Sequence, residues 1–354
     1  MIRSAVTAAL FLTLGGAIRL PAQERPAAQA PTIRTEVNVV SVYFTVRDNK
    51  KRLIPDLNQE AFRAFEDGRE QEIRFFAHHT DVPLNIGVLL DTSTAMTPLL
   101  ETEANAASYF LKAVMRANDL GFAVSYNSRV EVLQVPTEQV GLLQDKTAGI
   151  RRYGRYDTPP HAPPRVVVPQ QRMPIPMPMP GSGQGPDPDR RIARLYDAVV
   201  MSVDRFLAQE VGRKAMLILA LADDAKSENS LAGALRELKR SETIAYVVEV
   251  EHGPRGDRDD CDILHIFRET PKDRLSQLAE ETGGRVIKVK GFDKLQAAFE
   301  EIAVELHNQY SLGYTPSNSN WDGLFRRLEI RAQPKGYRVY ARNGYYATLP
   351  KRGQ

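Results

Sequence analysis

Leu84-Asn85-Ile86-Gly87-Val88-Leu89-Leu90-Asp91-Thr92-Ser93-Thr94-Ala95 is the stretch from which the fold is read. Its first seven residues are a nearly unbroken apolar run, and an acid and hydroxyls follow at once. A strand that is apolar on both faces belongs at the centre of a parallel sheet covered by helices on both sides. The pattern recurs. Ala215-Met216-Leu217-Ile218-Leu219-Ala220-Leu221 is a second such run, closed by Asp223-Asp224, and Thr243 to Val250 is a third. Between them lie helical spacings. In residues 98–117, Leu99, Leu100, Ala106, Phe110, Leu111 and Val114 recur at near-helical intervals, and Leu195–Ala208, Ser230–Arg240, Arg274–Thr282 and Phe292–Leu306 also read as helices. Gly283-Gly284 is a stop for the helix before it. Gly121 to Val135 holds two strand patterns split by Tyr126-Asn127-Ser128. This alternation predicts an α/β domain over residues 82–308, built on a doubly wound, mostly parallel sheet.

The flanks are different. Val37 to Val46 is rich in β-branched and aromatic residues, Leu57 to Phe62 suggests a short helical turn, and Phe65 to Ile73 reads as a hairpin turning at Asp67-Gly68. Tyr310–Thr315, Phe325–Arg331 and Tyr337–Arg342 read as strands after the last helix. Such short sets are too few to stand alone. Residues 33–79 and 309–350 are therefore expected to pair with each other as a small β-sandwich-like domain, with the α/β domain inserted between them.

Composition sets bounds. The chain has 354 residues, 42% of them hydrophobic and 26% charged, which fits a globular protein with a real core. A net charge of +3, from 47 basic and 44 acidic residues, makes no case for nucleic acid or an anionic membrane as partner. With Cys261 as the single cysteine, no intrachain disulfide can form. Residues 1–23 read as a signal peptide: Arg3 near the start, an apolar run from Ala5 to Leu14, then small residues around Leu20-Pro21-Ala22-Gln23. No later stretch is long and apolar enough to span a bilayer, so the expectation is an exported protein, periplasmic or secreted, with no integral membrane segment. Residues 24–32 read as a linker. A Pro/Met-rich insertion over 153–189 interrupts the α/β pattern; residues 159–188 hold 11 of the 23 prolines and suit neither helix nor central strand.

The residues that carry chemistry are Asp91 and Ser93, at the carboxyl end of the first buried strand, and Asp223, just beyond the second. Ligands of open α/β sheets bind at such strand ends, and carboxylate and hydroxyl oxygens are the donors that hard divalent cations prefer. In these residues the chain resembles the von Willebrand factor A fold, a Rossmann-like α/β domain. Its metal-ion-dependent adhesion site reads Asp-x-Ser-x-Ser, then a threonine, then an aspartate. Asp91 and Ser93 match the first two positions and Asp223 the last. The resemblance implies Mg2+ or Mn2+ as cofactor and a protein partner whose acidic side chain completes the coordination shell. The match is incomplete. Ala95 stands where the second serine is expected, and Arg191-Ile192-Ala193-Arg194 stands where the threonine loop is expected. Asp224 replaces the usual following glycine. The site therefore reads as degenerate, with Arg191 or Arg194 as a positive charge near it. With the hairpin at Glu66-Asp67-Gly68 and the tail Gln309 to Pro316 and Gly344-Tyr345-Tyr346, the chain is similar to the exported von Willebrand factor A-related proteins of Acidobacteria.

No G-x-S-x-G, P-loop or H-E-x-x-H pattern is present, and the expectation is a protein-binding module, not an enzyme. The alternative is an envelope hydrolase or carbohydrate-active protein using the loop at 252–265, where His252, Asp257, Asp259, Asp260, Cys261, Asp262 and His265 cluster in sequence. The tyrosines of the tail (Tyr337, Tyr340, Tyr345, Tyr346) read as sandwich core and edge in preference to a sugar-binding face.

Overall fold

The computed structural model describes residues 39–78, 82–93, 100–152, 193–220, 226–251, 271–290, 294–333 and 335–348. The segments read as signal peptide, linker and Pro/Met-rich insertion lie outside the described residues. So do Ala95, Arg191, Asp223, Asp224 and the loop at 252–265.

In chain order the elements are β1 (Val40–Asp48), β2 (Phe62–Glu66), β3 (Arg69–Gln71), β4 (Ile73–His78), β5 (Leu84–Asp91), α1 (Leu100–Val114), β6 (Leu120–Tyr126), β7 (Val130–Thr137), α2 (Val140–Ala148) and α3 (Leu195–Ser202). There follow β8 (Arg213–Ala220), α4 (Leu231–Ser241), β9 (Ile244–Glu251), α5 (Pro271–Glu280), β10 (Val286–Lys290), α6 (Leu295–His307), β11 (Tyr310–Tyr314), β12 (Phe325–Ala332), β13 (Tyr337–Ala341) and β14 (Gly344–Tyr346). No helix among the described residues is long and apolar enough to cross a membrane.

The central sheet runs β10-β9-β8-β5-β6-β7. Every pair is parallel except β6 with β7, an antiparallel edge. This is the expected doubly wound, mostly parallel sheet. Strand alternation splits its core in two. Ile86, Val88, Leu90, Leu217, Leu219, Tyr246 and Val248 face α1 and α6. Leu89, Phe122, Val124, Met216, Ile218 and Val247 face α3, α4 and α5. Gly87 is needed here because a Cβ would lie 2.2 Å from Cζ of Phe122, whose ring fills the space beside β5.

The terminal strands form two antiparallel sheets, β13-β1-β11-β4 and β14-β12-β2-β3. These make the sandwich-like second part of the fold. β1 lies between β11 and β13, so both its edges are filled by strands from the other end of the chain. Val40, Val42, Phe44, Val46, Phe62, Leu312, Leu328 and Ile330 pack between the sheets, and the Phe44 ring stacks on Tyr310 with centroids 5.2 Å apart. Asp67 and Gly68, both with positive φ, make the two-residue turn between β2 and β3. β12 buries Arg326, Leu328 and Ile330 and turns Phe325 outward; Arg326 Nη2 pairs with Asp322 at 2.8 Å. In the tail, Tyr345 belongs to this core.

The outer face of β1 docks on the α/β domain. Thr45 Oγ1 donates to Glu305 Oε1 at 2.9 Å and Arg47 donates to Glu305 Oε2 at 2.8 Å. Arg285 reaches the same oxygen from just before β10 at 2.8 Å, and Arg47 and Arg285 also share Glu301. Arg342 donates to Ser41 O and pairs with Glu242 just before β9, both within 2.9 Å. Within the α/β domain itself, Arg213, at the start of β8, donates to Leu306 O at 2.7 Å. All these contacts lie at the amino ends of the parallel strands. At ~3.3 Å per residue, the carboxyl end of β5 is about 23 Å away from these contacts.

Candidate ligand site at the carboxyl end of the sheet

Strand order reverses between β5 and β8, which makes the crevice beyond their carboxyl ends the switch point where open α/β sheets take ligands. Asp91 ends β5 there, only 1% exposed, and Ser93 is buried beside it. The Ser93 N–H donates to Asp91 Oδ1 at 2.9 Å, a local turn that fixes the carboxylate where the strand stops. The N–H of Thr92 donates to Tyr126 O at 2.9 Å. Asn127 Nδ2 donates to Thr92 Oγ1 at 3.0 Å and Asn127 O accepts the Arg194 N–H at 3.0 Å. Three element ends, those of β5, β6 and the approach to α3, are thereby laced together. Beneath them the Tyr126 hydroxyl donates to Leu219 O at 2.7 Å, tying β6 to the carboxyl end of β8.

Asp197 organises the far wall. Its carboxylate accepts the Asn229 N–H and Nδ2 at 2.9 Å and the Glu228 N–H at 3.1 Å, and its own N–H donates to Ser227 Oγ at 3.0 Å. Partial burial opposes its ionisation, but the Asn229 and Glu228 donors and the Arg194 charge outweigh it and hold the carboxyl below its usual range. Arg194, read from the sequence as a positive charge near the site, pairs with Asp197 at 3.4 Å and Glu228 at 3.3 Å. Ala193 is buried in the apolar cluster around α3, and its methyl group offers no oxygen.

Sequence reasoning missed Glu103. Glu103, on α1, is fully buried, and neither of its carboxylate oxygens accepts a well-formed hydrogen bond. Burial first, then the charge of Asp91, push its carboxyl well above the usual range, and the Asp91 backbone N–H offsets only part of that. No residue pattern signalled it; burial does. Glu103 is the one charged residue among the buried residues of α1, in a stripe otherwise made of Ala104, Ala106, Ala107, Phe110, Leu111 and Val114. Together, Asp91, Ser93 and the orphaned oxygens of Glu103 are hard donors of the kind that Mg2+ and Mn2+ take. Among the described residues no group of three His, Cys, Asp or Glu side chains comes together as a cation site. A cation would therefore need hydroxyl oxygens, water or Asp223 as well.

Of the histidines, His78 Nδ1 lies 3.0 Å from Pro55 O and His307 Nε2 lies 2.9 Å from Val114 O, so each is engaged with the backbone of another segment.

No protein-family profile and no curated protein matches the chain. Solved structures do. Proximal thread matrix protein 1 from the mussel byssus aligns at 12% identity over 68% of this chain and 51% of its own, with a TM-score of 0.44. The same protein has been solved with a zinc-occupied MIDAS motif. A von Willebrand factor type A protein from Catenulispora acidiphila aligns at 9% identity over 88% of this chain and 74% of its own, TM-score 0.43. The vWF domain of the type V pili tip protein Mfa5 from Porphyromonas gingivalis aligns at 10% over 64% and 96%, TM-score 0.38. The chain spans about half the length of the byssus protein.

Proposed function

We propose that this chain is an exported protein of the von Willebrand factor A type that acts by binding a protein partner, not by catalysis. Its binding face is the carboxyl end of the central sheet, and Asp91, Ser93 and Asp223 hold a divalent cation there, Mg2+ or Mn2+. The observation that carries this reading is Asp91. A nearly inaccessible carboxylate is pinned by Ser93 N–H at the switch point of the sheet, at the end opposite the described docking contacts of β1. A bound cation would supply positive charge for an acidic side chain of the partner. The protein's own part is to hold its oxygens rigid: the Thr92–Asn127–Arg194 lacing and the Tyr126–Leu219 bond fix the strand ends from which they project. With Ala95 and Ala193 lacking side-chain oxygens, the cation would keep more of its waters and bind more weakly than at a complete site.

The test is titration of the full chain with Mn2+ and with Mg2+ by calorimetry, beside Asp91→Ala. Saturable binding is expected in the wild type and none in the variant. Equal binding by both, or none by the wild type, would remove the cation from the proposal and leave the partner to be held by protein surface alone.

A further inference from the structure

The described residues contain five buried carboxylates: Glu66, Asp91, Glu103, Asp119 and Glu305. Four have donors. Glu66 accepts the hydroxyls of Tyr314 and Tyr345, both at 2.8 Å. Asp91 accepts the Ser93 N–H. Asp119 accepts the N–H groups of Leu84 and Arg116 at 2.7 and 2.8 Å. Glu305 accepts Thr45, Arg47 and Arg285. Glu103 alone has both oxygens without a well-formed hydrogen bond and no ion pair among the described residues. It is also fully inaccessible, and the charge acting on it is the like charge of Asp91.

Carboxylates are kept in protein interiors when hydrogen bonds, opposite charges or metals compensate them. With the other four compensated among the described residues, nothing in the packing calls for a fifth beside a like charge. For packing alone, methionine fills the same volume without the desolvation. Position adds to this. Glu103 lies in the first turn of the helix that follows β5, in its buried stripe, and both the charge and the backbone N–H of Asp91 act on it. The Asp91 site is also short of oxygens, because Ala95 and Ala193 occupy two positions at which the adhesion-site pattern has hydroxyls.

We propose that Glu103 is a further oxygen ligand of the cation held at Asp91, brought in from α1 to replace the hydroxyls missing at Ala95 and Ala193. This rests on the cation reading above and adds a residue that the sequence pattern of the site does not contain. One carboxylate then supplies both the oxygen and the charge that two neutral hydroxyls would have shared. It also ties α1 to the end of β5 when the cation is bound, so cation loading should stiffen that helix against the sheet.

The experiment titrates the full chain with Mn2+ by calorimetry and follows the free ion by electron paramagnetic resonance. It compares wild type, Asp91→Asn, Glu103→Gln and Glu103→Met, with the metal-free melting temperature of each. Loss of a group that supports a metal ligand costs ~10–100-fold in affinity, so Glu103→Gln and Glu103→Met should each weaken Mn2+ at least about tenfold. In the same samples Glu103→Met should melt at or above the wild-type temperature, by up to about 4 °C. A purely structural glutamate would lower the melting temperature and leave Mn2+ affinity alone. Wild-type affinity in both Glu103 variants, with binding lost in Asp91→Asn, would overturn the role of Glu103 and leave the cation at Asp91 standing. No Mn2+ binding by the wild type would overturn both. Failure of both Glu103 variants to fold without metal would also overturn the proposal, because the carboxylate would then be required by packing itself. If only one variant folds, its affinity decides.

Discussion

Arg47→Met tests the claim that a buried ionic cluster joins the two parts of the fold. The side chain of Arg47 is 7% exposed and that of Glu305 is 0% exposed, with 2.8 Å between them. Removing one partner of a buried pair strands the other charge, at a cost of ~3–5 kcal/mol. Here the loss is smaller. Arg285 Nε and Thr45 Oγ1 still donate to Glu305, and methionine refills much of the space left by the arginine stem. We expect a loss of about 2–3 kcal/mol, from a total stability of ~5–15 kcal/mol. Urea unfolding is the assay, and at ~2 kcal/mol per molar urea the midpoint should fall by about 1 M. A double-mutant cycle with Glu305→Gln should return a coupling of at least ~1 kcal/mol. A loss below about 0.5 kcal/mol is the value of a solvent-exposed pair. That result would refute the reasoning and show that water reaches the cluster.

Two further predictions concern the interior. Burial first, then the Glu66 carboxylate, push the Tyr314 and Tyr345 hydroxyls far above the usual phenol range. The folded chain therefore keeps protons that the unfolded chain loses above about pH 10, so stability is full below that pH and falls above it by ~1.4 kcal/mol per pH unit per tyrosine. Urea midpoints measured from pH 8 to 11 should be level at first and then drop steeply; a flat profile to pH 11 would show these hydroxyls to be solvated. Gly87→Ala places a methyl group 2.2 Å from Cζ of Phe122. Overpacking of this kind costs ~1–3 kcal/mol, and Phe122→Leu in the same chain should recover part of it in a thermal melt. An unshifted melting temperature for Gly87→Ala alone would mean that the ring moves aside freely.

The parallel sheet was legible because β5, β8 and β9 are buried on both faces and so are written as continuous apolar runs. β7 was legible as a strand, and the short turn at Asn127–Arg129 that joins it to β6 leaves room only for the antiparallel pairing it makes. α2 escaped notice. Its buried residues are only Leu143 and Thr147, too few to set a helical stripe. At the site, Asp91 and Ser93 stood out because they follow an apolar strand directly. Glu103 did not, because a glutamate near a helix start is ordinarily read as a surface residue that suits the helix dipole. Only burial distinguishes it. The clamp built by Asp197 was also invisible, since it joins α3 to residues 227–229, some 30 positions on.

β1 waits for partners that are made last. Arg342 reaches Ser41 across 301 positions of sequence, and at roughly 5–20 residues per second the ribosome needs about 15–60 s to cover that distance. Throughout that time a nine-residue strand with alternating valines and Phe44 has emerged with neither edge occupied. The whole α/β domain can collapse before it is satisfied. Vectorial synthesis thus leaves this chain with a long interval in which its first strand is open to the wrong neighbour, including the same strand of another nascent copy. A holding chaperone, or passage across a membrane as an unfolded thread, would keep β1 apart until β11 and β13 arrive to close around it.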